Sequence, residues 1–265
     1  MFVKPDFFDS FRCIASDCAH TCCAGWEIAV DPDKVALYDQ LLDESEKRRL
    51  LPAPDGTLLC REGGRCGFLR DDGLCDLIIR RGEDALCDIC REHPRFYSYS
   101  ENGNIREGGQ GICCEAAAKL WLSGDVRLIY EDDGYEPESS ELDELRAQSA
   151  LMRDTEAMDV AIADCVRRYS ELRGLFGSLE TLEPLVFPEV PPAVSPLSHR
   201  LCSYYIYRWY FDYPDETMRF AAICAVMTSA MDGEFADAAR RISCEVEYDP
   251  DNTDVILEYI RENFA

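Results

Sequence analysis

The sequence predicts a mainly α-helical protein in which a small, irregular, cysteine-rich metal-binding module with short strands precedes a helical domain. Three observations lead there. Eleven of the 15 cysteines fall between Cys13 and Cys114, and the other four (Cys165, Cys202, Cys224, Cys244) are scattered over the rest. Turn signals crowd the first part, whereas apolar residues recur at helical spacing in the second. A composition of 47% hydrophobic and 30% charged residues over 265 positions describes a folded chain, not a disordered one. The expected domains are residues 1–130, the metal or iron–sulfur module, and 131–265, the helical domain, with a Pro-rich connector near 182–196.

The elements follow in chain order. Trp26, Ile28 and Val30 alternate with other residues, the pattern of a short strand. Asp31-Pro32 reads as an N-cap followed by proline at the first helical position, opening a helix that runs to about Asp43. Asp71-Asp72-Gly73 and Asn102-Gly103 are turn signals. Glu83 to Glu92 reads as a short helix that stops before Pro94, and Ala116 to Leu122 as another. Elements this short leave little continuous core, so the module is expected to need metal to hold it together. Further on, Met158, Ile162, Val166, Tyr169 and Leu172 mark one face of a long helix. Pro184, Pro188, Pro191, Pro192 and Pro196 predict an extended linker. Three more helices are expected over His199–Phe211, Asp215–Met231 and Asn252–Glu262, with the scattered cysteines as small core residues.

The net charge of −25, from 27 basic and 52 acidic residues, argues against a protein that grips nucleic-acid phosphates or an anionic membrane. Asp6, Asp9 and Arg12 interrupt any signal-peptide core, and no apolar run reaches about 20 residues, the length of a membrane span. A cytoplasmic location is expected, where thiols stay reduced and clustered cysteines are metal ligands more often than disulfides. From Glu131 to Val160, eleven acidic residues accompany two arginines. That stretch reads as a solvated helix face and loop, or as a docking surface for a lysine-bearing partner.

The densest thiol segment is Cys13-x4-Cys18-x3-Cys22-Cys23. Thiolates are soft anionic donors, and a metal site needs about four of them converging. Neighbouring side chains in extended backbone point to opposite faces, so Cys22 and Cys23 need not serve one centre. Cys66 and Cys75 bracket a tight turn, Cys87 and Cys90 share a helix face, and Cys113-Cys114 stand at a helix start where a thiolate is favoured. The spacing is neither the bacterial ferredoxin run nor the tandem pairs of a zinc ribbon. A radical-type triplet would need cysteine where Gly25 stands. Spacing alone leaves zinc and an iron–sulfur cluster level.

Several of these segments together carry a resemblance. Phe11-Arg12-Cys13-Ile14-Ala15-Ser16-Asp17-Cys18, then Cys22-Cys23-x-Gly25-Trp26, resembles the opening of bacterial flagellin lysine-N-methylases, within a wider cysteine-rich zinc- or iron-chelating family. Cys66-Gly67-Phe68-Leu69 is similar to its Cys-Pro-Phe-Leu element, and Gly73-Leu74-Cys75, Cys90-x-x-His93-Pro94-Arg95 and Cys113-x-Glu115-Ala116-Ala117 to its later elements. Near the end, Tyr204-Tyr205-Ile206-Tyr207-Arg208 and Ser243-Cys244-Glu245-Val246-Glu247-Tyr248 resemble an aromatic helix and a Ser-Arg-Glu-Val-Glu-His segment. The resemblance implies eight ligand cysteines, Cys13, Cys18, Cys22, Cys23, Cys66, Cys75, Cys90 and Cys113, and a [4Fe-4S] cluster in preference to zinc. Cys60, Cys87 and Cys114 are extra to the pattern. It further implies methyl transfer from S-adenosylmethionine to lysine ε-amines of a protein substrate such as flagellin.

The residues show no evident S-adenosylmethionine site. Glu107-Gly108-Gly109-Gln110-Gly111 reads as a hairpin or turn sooner than a nucleotide loop, because the segment before it is polar. Tyr204, Tyr205, Tyr207, Trp209, Tyr210 and Phe211 read as core sooner than as a sulfonium pocket. Glu245 and Glu247 could accept a lysine proton or pair with arginines, and the catalytic residues are unassigned. A non-enzymatic metal-binding protein and an iron–sulfur electron-transfer or redox-sensing protein stand as alternatives.

Overall fold

The computed structural model describes every residue except Asp55, Glu62 and Ala265. The chain divides into two compact units, Arg12–Pro94 and a second built from Met1–Phe11 with Arg95–Ala265. This differs from the boundary expected near residue 130, because the first strand pairs with strands that come a hundred residues later. Mainly α is the right class, although the helical unit also carries a four-stranded sheet. No helix among the described residues is long and apolar enough to cross a membrane.

The chain opens with β1 (Phe2–Pro5) and then enters the cysteine-rich unit. There β2 (Ile28–Val30) leads into α1 (Pro32–Leu41) and α2 (Glu44–Lys47), followed by β3 (Leu51–Ala53), β4 (Gly56–Cys60), α3 (Asp76–Arg81) and α4 (Asp88–Glu92). The strands form an antiparallel sheet in the order β2-β4-β3. Pro32 starts α1 as expected, but Asp31 does not cap it; its Oδ1 accepts the Asp88 N–H at 2.7 Å. The helix expected over Glu83–Glu92 is two pieces, a single 3-10 turn at Glu83–Ala85 and α4, divided at Cys87. Gly73 takes φ +79° in the predicted turn.

The helical unit continues with β5 (Arg95–Tyr99), β6 (Arg106–Gln110), α5 (Glu115–Ser123) and β7 (Leu128–Glu131). Its helices are then α6 (Ser139–Leu151), α7 (Thr155–Arg167), α8 (Tyr169–Phe176), α9 (Ser198–Trp209), α10 (Thr217–Ala230), α11 (Phe235–Val246) and α12 (Pro250–Asn263). The sheet order is β5-β6-β1-β7, with β1 parallel to β6 and antiparallel to β7. α10 is apolar around most of its girth, and α7, α8, α9, α11 and α12 all pack on it. Cys165, Cys202 and Cys224 lie in this core as expected, whereas Cys244 is only half-buried.

Two expectations are corrected. The long helix predicted from Met158 to Leu172 breaks at Arg168 into α7 and α8. The Pro-rich connector has no regular structure but is a pinned strap, not a spacer. Leu185 and Phe187 pack on the core, the Tyr169 hydroxyl donates to the Pro188 carbonyl at 2.8 Å, and Arg241 Nη2 donates to that of Pro184 at 2.9 Å. The acidic stretch is a helix and loop with mostly exposed carboxylates, as its solvated reading has it, except that Glu141 of α6 is buried and accepts from Ser100, the Asn104 amide and the Glu138 N–H.

The glycines of Glu107–Gly111 serve packing. Segment 106–110 is strand β6, hairpinned to β5 through the turn at Gly103. A Cβ on Gly108 would lie 2.8 Å from the Phe2 ring, and one on Gly109 would lie 2.4 Å from the Phe96 ring. Rings on both faces of the strand leave no cradle for a phosphate. Gly109→Ala is expected to lower Tm by roughly 5 °C through overpacking, measured by thermal melts; an unchanged Tm would show that Phe96 yields freely.

Glu107 itself is fully buried, and among the described residues only the Gln148 amide donates to it, at 2.9 Å. Burial pushes its carboxyl up to about 8, from an ordinary 4.5. The folded state therefore holds a proton that the unfolded chain has released. That stability is complete below the unfolded value and is lost as pH rises through about 8. Glu107→Gln should remove this slope, so its Tm advantage over the parent grows from pH 5 to pH 9, values spanning roughly that window. Parallel Tm curves for the two proteins would refute the assignment.

Candidate metal centre

The cysteine-rich unit has a small apolar core, and thiols occupy a large part of it. Cys60, Cys66 and Cys87 are buried among Ile28, Val30, Tyr38, Leu59, Phe68 and Leu77, with Cys23, Cys75 and Cys90 half-buried against them. Six thiols from five separate segments thus share one core. Cys23 is their common neighbour, within electrostatic reach of Cys60, Cys66, Cys75 and Cys90.

Local backbone explains the gathering. The Cys66 N–H donates to the Cys23 carbonyl at 2.8 Å and Gly25 N–H to that of Gly64 at 2.9 Å, tying the Cys22-Cys23 loop to the loop after β4. The Gly67 N–H donates to the Leu59 carbonyl at 3.0 Å. A Cβ there would lie 2.6 Å from the Arg49 carbonyl oxygen, so this chain has no room for the proline of the resembling element and would lose a hydrogen bond to it. The turn at Gly73 returns the chain so that Leu69 bridges Cys75 and the Asp76 N–H reaches the Phe68 carbonyl at 2.8 Å. Asp76, buried, is then clamped by Arg49 Nη1 at 2.5 Å and Arg80 Nε at 3.0 Å, which hold its carboxyl below its ordinary value.

Amide N–H groups point at the sulfurs. Phe68 N–H donates to Cys66 Sγ at 3.4 Å, Leu77 and Ile78 donate to Cys75, and the Cys90 N–H donates to Cys87. Such bonds favour the thiolate, the form that binds metal. Burial acts the other way, pushing Cys66 up to about 12 and raising Cys75. Cys23 is the exception: hydrogen bonds from Cys22 first, then Thr21, with the Arg65 charge, bring it down to about 6 against the cost of burial. The site thus presents one ready thiolate beside neutral thiols that need a cation to ionise.

The other predicted ligands are placed differently. Cys13 is exposed, its Sγ accepting the Ala15 N–H at 3.4 Å; Cys18 is half-buried and donates to the His20 carbonyl at 3.3 Å. Cys113 belongs to the helical unit, where the Tyr248 hydroxyl donates to its thiol and Cys244 Sγ donates to its carbonyl at 3.7 Å. Among the described residues, no three Cys, His, Asp or Glu side chains already converge as a metal-binding group. The donor chemistry nonetheless suits a thiophilic metal, and one further atom fits. His93, its ring tilted against Trp26 with centroids 5.9 Å apart, is pushed down to about 4 by burial, and its Nε2 has no hydrogen-bond partner among the described residues. A neutral, orphaned imidazole nitrogen is a vacant donor. The sequence reading set aside Cys60 and Cys87 as extra and gave His93 no role. The signals were present in the i, i+3 spacing of Cys87 and Cys90 and in Cys90-x-x-His93.

The acidic pair near the C-terminus is engaged elsewhere. Glu245 accepts the Leu182 and Glu183 N–H groups at 2.7 and 3.0 Å, anchoring the strap. Glu247, fully buried, accepts from the Tyr204 hydroxyl at 2.9 Å and from Ser243, with Arg208 Nε at 3.7 Å. Tyr204, Tyr205 and Tyr207 are fully buried core residues, as expected.

Comparison with known proteins gives three relatives over about half the chain. The flagellar biosynthetic protein FliU of Salmonella muenchen is 26% identical over 145 residues, which cover 50% of this chain and 83% of that protein. Lysine-N-methylases of Salmonella typhimurium and Salmonella choleraesuis are each 26% identical over 141 residues, 48% of this chain and 34% of theirs. The match thus spans about a third of the named methylases. No protein-family profile and no solved structure matches this chain. What the chain is similar to, then, is a group of flagellar and lysine-methylating proteins.

Proposed function

We propose that this chain is a lysine-N-methylase-like protein, acting with S-adenosylmethionine on lysine ε-amines of a protein substrate such as flagellin, and built on a cysteine-held [4Fe-4S] cluster. The observation that carries the reading is the gathering of six thiols in one small core, in a chain similar to named lysine-N-methylases. Cys23, Cys66, Cys75 and Cys90 would hold the cluster, with Cys87 and His93 as neighbouring donors. A bound cluster supplies cross-links between segments that share few apolar contacts, together with the capacity to take up an electron.

The chain's own residues prepare that role. Cys22 and Arg65 keep Cys23 ionised, and the amides of Phe68, Leu77 and Ile78 are aimed at sulfur before any metal arrives. A neutral lysine amine is nucleophilic without a radical, so methyl transfer asks the protein for positioning and desolvation. No step is assigned to Glu245 or Glu247, whose oxygens already accept protein donors. That engagement favours a second reading, a metal-binding protein without methyl transfer.

Two measurements separate these readings. Anaerobic purification followed by iron, sulfide and zinc analysis should give iron and sulfide together; zinc without either would overturn the cluster. Calorimetric titration of the metal-replete protein with S-adenosylmethionine should show saturable binding, and its absence would favour the non-enzymatic reading. Among variants, Cys75→Ser and Cys90→Ser should lose metal and soluble protein together, while Cys224→Ser, in the helical core, retains metal. Equal metal content in all three would sink the ligand assignment.

A further inference from the structure

We infer that the helical unit binds an extended, acidic peptide along the free edge of β7, with side chains of that peptide seated in the groove between β7 and α6. The inference goes beyond the methylase reading and does not rest on it.

The first support is the sheet edge. β7 ends the order β5-β6-β1-β7, and the Asp6 N–H donates to the Arg127 carbonyl at 2.9 Å. With Lys4 opposite Ile129 and Phe2 opposite Glu131, that bond fixes the alternation: Arg127, Ile129 and Glu131 turn their backbone groups toward β1. Leu128 and Tyr130 therefore turn N–H and C=O outward, where no described residue bonds them. Tyr130 is 50% exposed and Ile129 40%. An open edge of this kind is a template for an added strand.

The second support is the groove beside it, about 440 Å³, lined by Met1 and Tyr130 on one side and by Leu142, Ser149 and the two arginines of α6 and its end on the other. Ser149 Oγ is buried there without a hydrogen-bond partner among the described residues. An apolar floor with one unsatisfied hydroxyl accommodates alternate side chains of a strand.

The third is charge. Arg146 and Arg153 are the only basic residues from Glu131 to Val160, and both line this groove. Arg146 stands on α6 and Arg153 in the turn that ends it, and both line the same groove. Arg146 is paired only at the surface, with Asp143 at 2.7 Å, and the Arg153 side chain makes no hydrogen bond or ion pair among the described residues. The acidic stretch therefore concentrates its positive charge at the groove, which selects carboxylates over a lysine-bearing partner, the second of the two readings of that stretch.

The test uses the full chain and a fluorescein-labelled, capped nine-residue peptide of alternating valine and threonine carrying two glutamates. Fluorescence anisotropy should show saturable binding, weakened about tenfold by the double replacement Arg146→Ala with Arg153→Ala and by N-methylation of alternate peptide amides. Amide exchange at Leu128 and Tyr130 should slow when peptide is bound, a readout that needs no variant. The inference fails if the glutamate peptide does not bind by about 1 mM, or if a lysine-for-glutamate peptide binds as tightly. It also fails if sedimentation shows dimerisation that the double replacement abolishes, since the edge would then belong to a second copy.

Discussion

The desolvation of six thiols in one small core is the constraint on which the cysteine-rich unit depends. Among the described residues, eight buried apolar side chains other than cysteine support it, against thirty-six in the core of the helical unit. Its elements are short, and three of its helices have six residues or fewer. Burial keeps Cys66 and Cys75 protonated, so packed thiols alone would behave as small, weakly bonding hydrophobes. A thiophilic cation would reverse that balance, converting a desolvation cost into ligand bonds. Cys23 is where the reversal can begin, because its neighbours already hold it as a thiolate near neutral pH. Its carbonyl also receives the Cys66 N–H, so its backbone joins the two loops while its sulfur feels the Arg65 charge of the second.

The helical unit obeys a different rule, that of a conventional apolar core with satisfied polar insertions. Tyr207 directs its hydroxyl at the carbonyls of Val3 and Gly108, 3.1 and 2.9 Å away, and Trp121 Nε1 donates to that of Gln110 at 2.8 Å. The sheet is thereby joined to α9 and α5. Glu247 and Glu245 join α11 to α9 and to the strap. These carboxylates are structural acceptors, and the Ser-Cys-Glu-Val-Glu segment owes its pattern to them: Ser243 and Glu247 lie one turn apart and bond each other.

What could be read from the sequence was local. Pro32 started a helix, Gly73 and Gly103 made turns, and the uninterrupted apolar run of α10 announced a buried helix. The clustering of cysteines pointed to a shared core before any distance was known. What could not be read was non-local or weakly patterned. β1 pairs in parallel with residues a hundred positions on, and nothing in Phe-Val-Lys-Pro declares its partner. The buried side of α6 could not be read either, because two of its buried residues, Glu141 and Gln148, are polar. The hairpin at Glu107–Gly111 was legible, but not the reason for its adjacent glycines, because the rings that exclude a Cβ, Phe2 and Phe96, lie on other strands. Cys113 aligned with the other cysteines in order yet folds into the other unit, since sequence order carries no record of which core receives a side chain.

The acidic composition also separates into distinct parts. Glu46, Asp76 and Glu141 are buried and paired or capped, so they are architecture and not surface potential. The most direct test of the account is X-ray absorption at the metal edge of the anaerobically purified protein, which counts the atoms bound to the metal. The account predicts iron with an all-sulfur shell of about four ligands and iron neighbours. A shell of oxygen and nitrogen, or an absent edge in folded protein, would contradict it.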